Sequence, residues 1–114
     1  MTNRHNIYWT RIAAIDLEEI IRYISINNPK TAKIILSKIR KSVTPLYDHP
    51  LCGRVVPELE YEGIHLYREI IFHPWRIIYR VSKDSIYILA VIDSRKNIED
   101  VLLNRLMRDA KESV

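Results

Sequence analysis

Arg68, Arg76 and His73 lie in the second half of the chain and have side chains that can take part in polar chemistry. Arg68 and Arg76 lie in two neighbouring runs of β-forming residues, and the planar guanidinium fork suits the oxygens of a phosphate. His73 lies between the two runs, and an imidazole is well suited to proton transfer at neutral pH. Because His73 precedes Pro74 in a predicted turn, an exposed imidazole without a role is the competing interpretation.

Metal, cofactor and thiol chemistry are not indicated by the remaining reactive side chains. Cys52 is the only cysteine, so it cannot form an internal disulfide, and its neighbours offer no base that would activate a thiol. We interpret Cys52 as a small packing residue, and we expect neither a metal ion nor an organic cofactor. The other histidines are isolated and lack the spacing of metal ligands: His5, His49 and His65.

The length and composition predict one domain that spans residues 1–114. The chain has 114 residues, of which 47% are hydrophobic and only 2 are glycine, so a single core is feasible. No apolar run approaches the roughly 20 residues that a membrane span needs. The first residues lack the apolar core of a signal peptide. We therefore expect a soluble, cytoplasmic protein without a membrane partner.

The basic charge is concentrated in one short segment of the first half. The formal net charge is +4, and five basic residues without any acid occur between residues 30 and 41. A solvated helix face would explain this run, and so would attraction to an acidic partner or to nucleic acid. Together with two later arginines, the run supplies the candidate partner-binding residues: Lys30, Lys33, Lys38, Arg40, Lys41, Arg80 and Arg95.

Apolar periodicity predicts a strand and two helices in the first half of the chain. β-Forming residues indicate a short strand at residues 7–10, and Thr10 has the pattern of an N-cap for the helix that follows. Asn28 and Pro29 then end this helix and begin a second one. The second helix buries one apolar stripe, leaves its basic residues on the opposite side, and ends or kinks at Pro45.

The second half changes to the alternation that is typical of strands. The run at 85–92 is almost continuously apolar, which favours a central place in a sheet. Polar residues at 60–63 indicate a loop. The predicted strands lie at residues 54–56, 66–72, 75–81 and 85–92.

A C-terminal helix completes the predicted order of elements. Asn97 is its cap, and the helix spans residues 97–114. The whole order predicts a two-layer α+β domain, in which an N-terminal strand and an antiparallel helix hairpin pack on a small antiparallel sheet. The stripe of the C-terminal helix runs through Ile98, Val101, Leu102, Arg105 and Leu106.

Several short motifs lie in register with these elements. They are Trp9, Ala13, Asp16-Leu17, Ile20 and Tyr23-Ile24; Pro29 and Ala32; Pro50, Gly53-Arg54 and Pro57-Glu58-Leu59; Tyr67-Arg68-Glu69-Ile70; Trp75-Arg76-Ile77-Ile78-Tyr79-Arg80-Val81; and Ile88-Leu89-Ala90-Val91-Ile92. Over residues 7–96 the chain resembles the RelE/ParE superfamily of toxins from type II toxin–antitoxin systems. Gly53 also has a plain structural explanation, since glycine permits a sharp or positive-φ turn.

The resemblance implies one of two activities. RelE-like members cut messenger RNA at the ribosome, whereas ParE-like members poison DNA gyrase. Arg76 matches a catalytic arginine of the nucleases, Arg68 a basic residue on their neighbouring strand, and Glu58 a general base in one branch. The tyrosine or histidine that nucleases commonly carry near the C-terminus is missing, so His73 is the best substitute acid. In a second interpretation, Arg76 is a structural arginine that pairs with Glu58 or Glu69.

An incomplete acid–base set favours the ParE-like activity, which requires no chemistry from the toxin. We therefore predict a growth-inhibiting toxin of a plasmid-stabilisation type that acts on DNA gyrase. A cognate antitoxin with an acidic or partly disordered segment would hold it inactive in a hetero-oligomer. A ribosome-dependent mRNA endonuclease is the alternative. A DNA-binding module that uses the basic face of the second helix, and a non-toxic interaction domain, are two further hypotheses.

Overall fold

A computed structural model of the chain describes the backbone of residues 4–112 and the side chains of residues 4–105. Leu106, the last residue of the predicted C-terminal stripe, lies outside the described side chains. No helix in the described part is both long and apolar enough to cross a membrane. The elements follow the chain in the order β1 Asn6–Trp9, α1 Arg11–Asn27, α2 Pro29–Ser42, a 3₁₀ turn Thr44–Tyr47, β2 Arg54–Val55, α3 Pro57–Tyr61, β3 Tyr67–Phe72, β4 Trp75–Ser82, β5 Ser85–Asp93 and α4 Ile98–Glu112.

These strands form one sheet in the order β1-β5-β4-β3-β2. β1 runs parallel to β5, and the other neighbouring pairs are antiparallel. The predicted α+β class is confirmed, and the structure adds that the N-terminal strand belongs to the sheet itself. β4 takes the middle position. β5 is enclosed by β1 and β4, which explains its continuous apolar sequence.

The hairpin of α1 and α2 covers one face of the sheet and encloses the larger core. Thr10 caps α1 by accepting a hydrogen bond from the backbone nitrogen of Ala13 at 3.3 Å. Asn28 caps α2 in the same way, at 3.1 Å from the nitrogen of Thr31, so both predicted caps are present. The buried residues of this core are Ala13, Leu17, Ile39, Val43, Leu46, Ile77, Tyr79, Ile86, Ile88 and Val91.

Two further helices, α3 and α4, cover part of the opposite face. The prediction of a loop at 60–63 is wrong at its start, because α3 continues to Tyr61 before Gly63 turns the chain with φ at 80°. α3 has only 5 residues, too few for a helical period to show, although Pro57 and Glu58 suit its first turn. The core on this face contains Val56, Leu59, Ile78, Ala90, Ile92, Ile98 and Leu102.

Two predictions concern the loop before β2. Gly53 does not have a positive φ. Instead, a Cβ atom at this position would lie 2.5 Å from the backbone oxygen of Glu69 and 2.7 Å from the Tyr79 ring. Close packing therefore requires the glycine. Cys52 is exposed, so it is not the packing residue that the sequence indicates.

A carboxylate of α1 connects three elements of the fold. Asp16 accepts a hydrogen bond from the backbone nitrogen of Val91 in β5 at 3.0 Å. Both Nη atoms of Arg105 in α4 donate to the same carboxylate, at 2.6 and 2.8 Å. β1 pairs with β5 only as far as Ile88, so Asp16 supplies an acceptor further along that strand. The apolar period places Asp16 outside the buried stripe of α1 and does not reveal this contact.

We expect Leu102→Ala to lower the free energy of unfolding by about 2–5 kcal/mol, because a cavity replaces a buried side chain. Leu102 is 6% exposed, whereas the adjacent Leu103 is 48% exposed and provides a matched control. Leu103→Ala should change stability by less than about 0.5 kcal/mol. Urea denaturation followed by circular dichroism measures both effects. Equal losses in the two variants would contradict the docking of α4 on the sheet.

Candidate functional site

Arg76 lies at the centre of a charged cluster on the sheet face that carries α3. Its Nε donates to Oε1 of Glu69 at 2.6 Å, and its Nη2 donates to Oε2 of Glu69 at 3.0 Å. Nη1 and Nη2 also donate to the two carboxylate oxygens of Glu58, both at 2.7 Å. One guanidinium thus holds two carboxylates, one from β3 and one from α3. This is the pairing that the structural interpretation of Arg76 predicts.

Glu69 is the buried anion of this cluster. Its side chain is 0% exposed, that of Arg76 is 9% exposed, and Glu69 accepts a further bond from Nε of Arg54 at 2.6 Å. Two arginines therefore balance two glutamates, which is the condition under which buried charges are tolerated. Arg54 belongs to one of the sequence motifs, but no pattern in the sequence assigns it a role. Only the β2–β3 register, which sets Arg54 opposite Glu69, reveals its role.

Mutual hydrogen bonding keeps both partners of the Arg76–Glu58 pair ionised. The hydrogen bonds from Arg76 are the main cause that holds the pKa of Glu58 below its usual 4.5, while partial burial acts in the opposite direction. The same contact raises the pKa of Arg76. A carboxylate stabilised in this way is a weak base. A phosphate would have to displace Glu58 or Glu69 to obtain both donors of a guanidinium edge.

The structure does not bring Arg68 and Arg76 together. Arg68 is paired across the sheet with Tyr79, and Arg76 is paired with Ile71. Residues 68 and 71 are an odd number of positions apart along β3, so the two arginines lie on opposite faces. Arg68 and Arg76 therefore cannot contact one phosphate from the same face of the sheet in this conformation.

Arg68 instead helps to fasten the loop before β2. Its Nη1 donates to the backbone oxygens of Leu51 at 3.2 Å and Gly53 at 2.8 Å. The Tyr79 hydroxyl donates to the backbone oxygen of Pro50 at 2.8 Å and accepts from the nitrogen of Gly53 at 3.0 Å. Burial raises the pKa of Tyr79, so the hydroxyl keeps its proton for this contact. The side chains of Arg68 and Tyr79 therefore both hold the backbone of this loop in place.

His73 lies in the exposed turn between β3 and β4. Among the described side chains, no hydrogen bond or ion pair joins His73 to Arg76. Within the same part of the chain, no group of three or more His, Cys, Asp or Glu residues is arranged to hold a metal ion. His73 is thus an exposed turn residue, as the interpretation without a catalytic role predicts.

The seven predicted partner-binding residues fall in three places. Arg95 binds Asp93 in the turn before α4, with Nη2 at 2.6 Å from Oδ2, and this contact lowers the pKa of Asp93. Arg80 lies on the sheet, with its guanidinium carbon 6.0 Å from the centre of the Tyr87 ring. The other five are exposed on α2 and form no ion pair with a described side chain: Lys30, Lys33, Lys38, Arg40 and Lys41.

A cleft of about 670 Å³ opens between α1 and α2 beside β1. Its rim includes Arg22, which pairs with Glu18 at 2.7 Å, and Arg40, which has no such partner among the described residues. The cleft therefore combines an apolar floor with basic charge at one side. The apolar lining consists of Trp9, Ala14, Leu17, Ile21 and Leu36.

The sheet order and the helix hairpin define the class of protein, which is the fold of the RelE/ParE toxins. A chain of the chromosomal ParDE toxin–antitoxin system from P. aeruginosa superposes with a TM-score of 0.68 at 24% identity, covering 80% of this chain and 97% of that one. A chain of the toxin–antitoxin complex RelBE2 from Mycobacterium tuberculosis gives a TM-score of 0.54 at 18% identity, covering 82% of this chain and 94% of that one. These likenesses establish the fold.

Sequence comparison then identifies the family. Residues 7–98 match the ParE toxin family of the type II toxin–antitoxin system parDE. Toxin ParE3 of Caulobacter vibrioides is 30% identical over 90 residues, which are 78% of this chain and 86% of that protein. The chain therefore belongs to the ParE toxins, and it is the toxin of a type II toxin–antitoxin system. The resemblance seen in the sequence motifs is confirmed.

We expect Glu58→Gln to destabilise the protein most at neutral pH. The folded-state pKa of Glu58 is lowered, so its contribution is complete above the unfolded-state pKa and is lost as the pH falls through the folded-state value. Removing a charged hydrogen-bond partner should cost about 1–3 kcal/mol at pH 7. Urea denaturation at pH 7 and at acidic pH measures the difference, with the exposed Glu62→Gln as the control. A Glu58→Gln penalty that does not shrink in acid would contradict the ion pair.

Proposed function

We propose that this toxin acts in the cytoplasm by binding and poisoning DNA gyrase, without chemistry of its own, until a cognate antitoxin neutralises it. The observation that carries the proposal is the double carboxylate pairing of Arg76, which occupies the group best suited to phosphate chemistry. Membership of the ParE toxin family supports the same target. A binding inhibitor needs a surface rather than an acid–base set, and the geometry agrees with that requirement.

The alternative activity, cleavage of messenger RNA, requires a base, a phosphate stabiliser and an acid. Glu58 has both carboxylate oxygens on Arg76, which excludes it as a free base in this conformation. Arg68 is on the other face and engages backbone oxygens. His73 has no described contact with the cluster. The described residues therefore present no assembled nuclease site.

The cleft between α1 and α2 is the surface that we assign to the antitoxin. An amphipathic acidic segment would place apolar side chains on the cleft floor and carboxylates against the rim and the basic face of α2. Arg40 belongs to both the rim and the basic run, so it stands where such a segment would cross. The absence of acids between residues 30 and 41 gives that side of α2 a uniform positive charge.

We expect Arg40→Glu to weaken antitoxin binding by about 10-fold or more, because it sets a like charge against an acidic partner. Lys83→Glu, which makes the same charge change in the exposed turn between β4 and β5, should leave the affinity unchanged. Calorimetric titration of the full chain with the protein encoded beside it measures both. If both variants bind like the original protein, the antitoxin does not use this cleft.

We expect the free toxin to inhibit DNA supercoiling by gyrase and to stabilise its cleavage complex, and His73→Ala to retain both effects. A general acid typically contributes about 10²–10⁴-fold, so a nuclease that relied on His73 would lose activity on that scale. Primer extension on translated messages tests the alternative, with the exposed His65→Ala as a matched control. If the toxin cuts messages in codon phase, if only His73→Ala abolishes the cuts, and if gyrase is unaffected, the protein is a messenger RNA nuclease instead. Arg76→Ala is unsuited to this test, because it leaves buried Glu69 with a partner lost.

A further inference from the structure

The sheet face that carries α3 and α4 also bears a row of aromatic and basic side chains, of which Tyr67 packs against the core beneath those helices. The row lies near the turn between β4 and β5, and each member is the direct cross-strand partner of the next. Adjacent strands are about 4.8 Å apart, so the row extends over roughly 14 Å. In order across β1, β5, β4 and β3 its members are Tyr8, Tyr87, Arg80 and Tyr67.

The rings of this row are accessible and arranged as a platform. Tyr8 is 48% exposed, and its ring is stacked on Tyr87 with centres 5.7 Å apart and planes 26° apart. Tyr67 and Tyr87 are half-buried and stand on the two sides of Arg80. α4 covers the other end of this face, where Ile98 and Leu102 are buried. Among the described side chains of the row, Tyr67 packs against the core under α3 and α4, whereas the rings of Tyr8 and Tyr87 lie outside it.

Arg80 differs from the other arginines that lie near the sheet. Arg54, Arg76 and Arg105 each bind a carboxylate, and Arg68 donates to two backbone oxygens. Arg80 forms no ion pair with a described side chain, and its Nε is buried without a hydrogen-bond acceptor. Its guanidinium carbon lies 6.0 Å from the centre of the Tyr87 ring. Among the described side chains, this positive charge between two aromatic rings therefore has no anionic partner.

We infer that this row, Tyr8, Tyr87, Arg80 and Tyr67, binds single-stranded nucleic acid. Tyrosine rings stack with any base, because every base has a π-face, and an arginine between them meets the phosphate that links successive bases. The net charge of +4 attracts a polyanion to the protein as a whole. A duplex does not fit the same surface, because its base faces are already stacked.

This inference is independent of the gyrase proposal. The row shares no residue with the cleft between α1 and α2 or with the Arg76 cluster. It requires binding only, without cleavage. Loss of oligonucleotide binding therefore says nothing against the gyrase proposal, and absence of gyrase inhibition says nothing against the row.

The experiment measures the anisotropy of a fluorescein-labelled oligothymidylate of about 12 nucleotides, titrated with the full-length protein at low salt. Tyr87→Ala and Arg80→Gln should each weaken binding about 5- to 100-fold, the range that loss of one stacked base or one phosphate contact gives. Tyr87→Phe, which keeps the ring, should bind like the original protein.

Tyr23→Ala is the matched control, since Tyr23 is an exposed tyrosine of α1 away from this face. Thermal melts confirm that each variant is folded, and Tyr8→Ala replaces Tyr87→Ala if the latter is not.

Several results would overturn the inference. One is the absence of binding to oligothymidylate at low salt. Another is binding that Lys33→Gln and Arg40→Gln weaken while substitutions in the row do not. That result would assign nucleic-acid binding to the basic face of α2. Equal affinity for the duplex of the same length would exclude base stacking. Poly-glutamate that binds with the same dependence on Tyr87 and Arg80 would show that the row recognises acidic peptides instead.

Discussion

The buried pairing of Arg76 with Glu69 and Glu58 is the interaction on which the second face of the sheet depends. Glu69 is enclosed completely, and an isolated carboxylate at that depth would be strongly destabilising. Arg76 neutralises it and also binds Glu58, which belongs to α3. The short helix is thereby attached to the middle strand, and Leu59 of α3 is placed in the core that also receives α4. One guanidinium therefore organises the sheet, α3 and the packing above them.

The same pairing determines what the Arg76 guanidinium is free to bind. An arginine on the middle strand is available for phosphate chemistry only if its donors are free. Here Glu58 and Glu69 accept from these donors, so the residue stabilises the fold. Identity of residue type at a matching position is thus weak evidence for activity, whereas the partners of that residue are strong evidence.

Periodicity predicts the long elements because each of them buries a continuous stripe or face. α1, α2 and the strands β3 to β5 are all of this kind. α3 escapes prediction because 5 residues cannot display a helical period. The roles of Gly53 and Asp16 escape it because both depend on contacts with residues distant in the sequence. The separation of Arg68 from Arg76 was accessible in principle, since pairing Phe72 with Trp75 across a two-residue turn places the two arginines on opposite faces.

The attachment of α1 to β5 has a consequence for where this chain can accept an inserted residue. Thr10 bonds to the backbone oxygen of Ile88, and Asp16 bonds to the nitrogen of Val91, so helix and strand are joined at two points. Six helical residues rise about 9 Å, and three strand residues rise about 10 Å, so the two spans match. Inserting one residue in α1 between these points would turn Asp16 by about 100° around the helix axis, away from both Val91 and Arg105. The length of the first two turns of α1 therefore fixes the position of Asp16 relative to β5, so an insertion there would cost these hydrogen bonds, whereas an insertion in a loop would not.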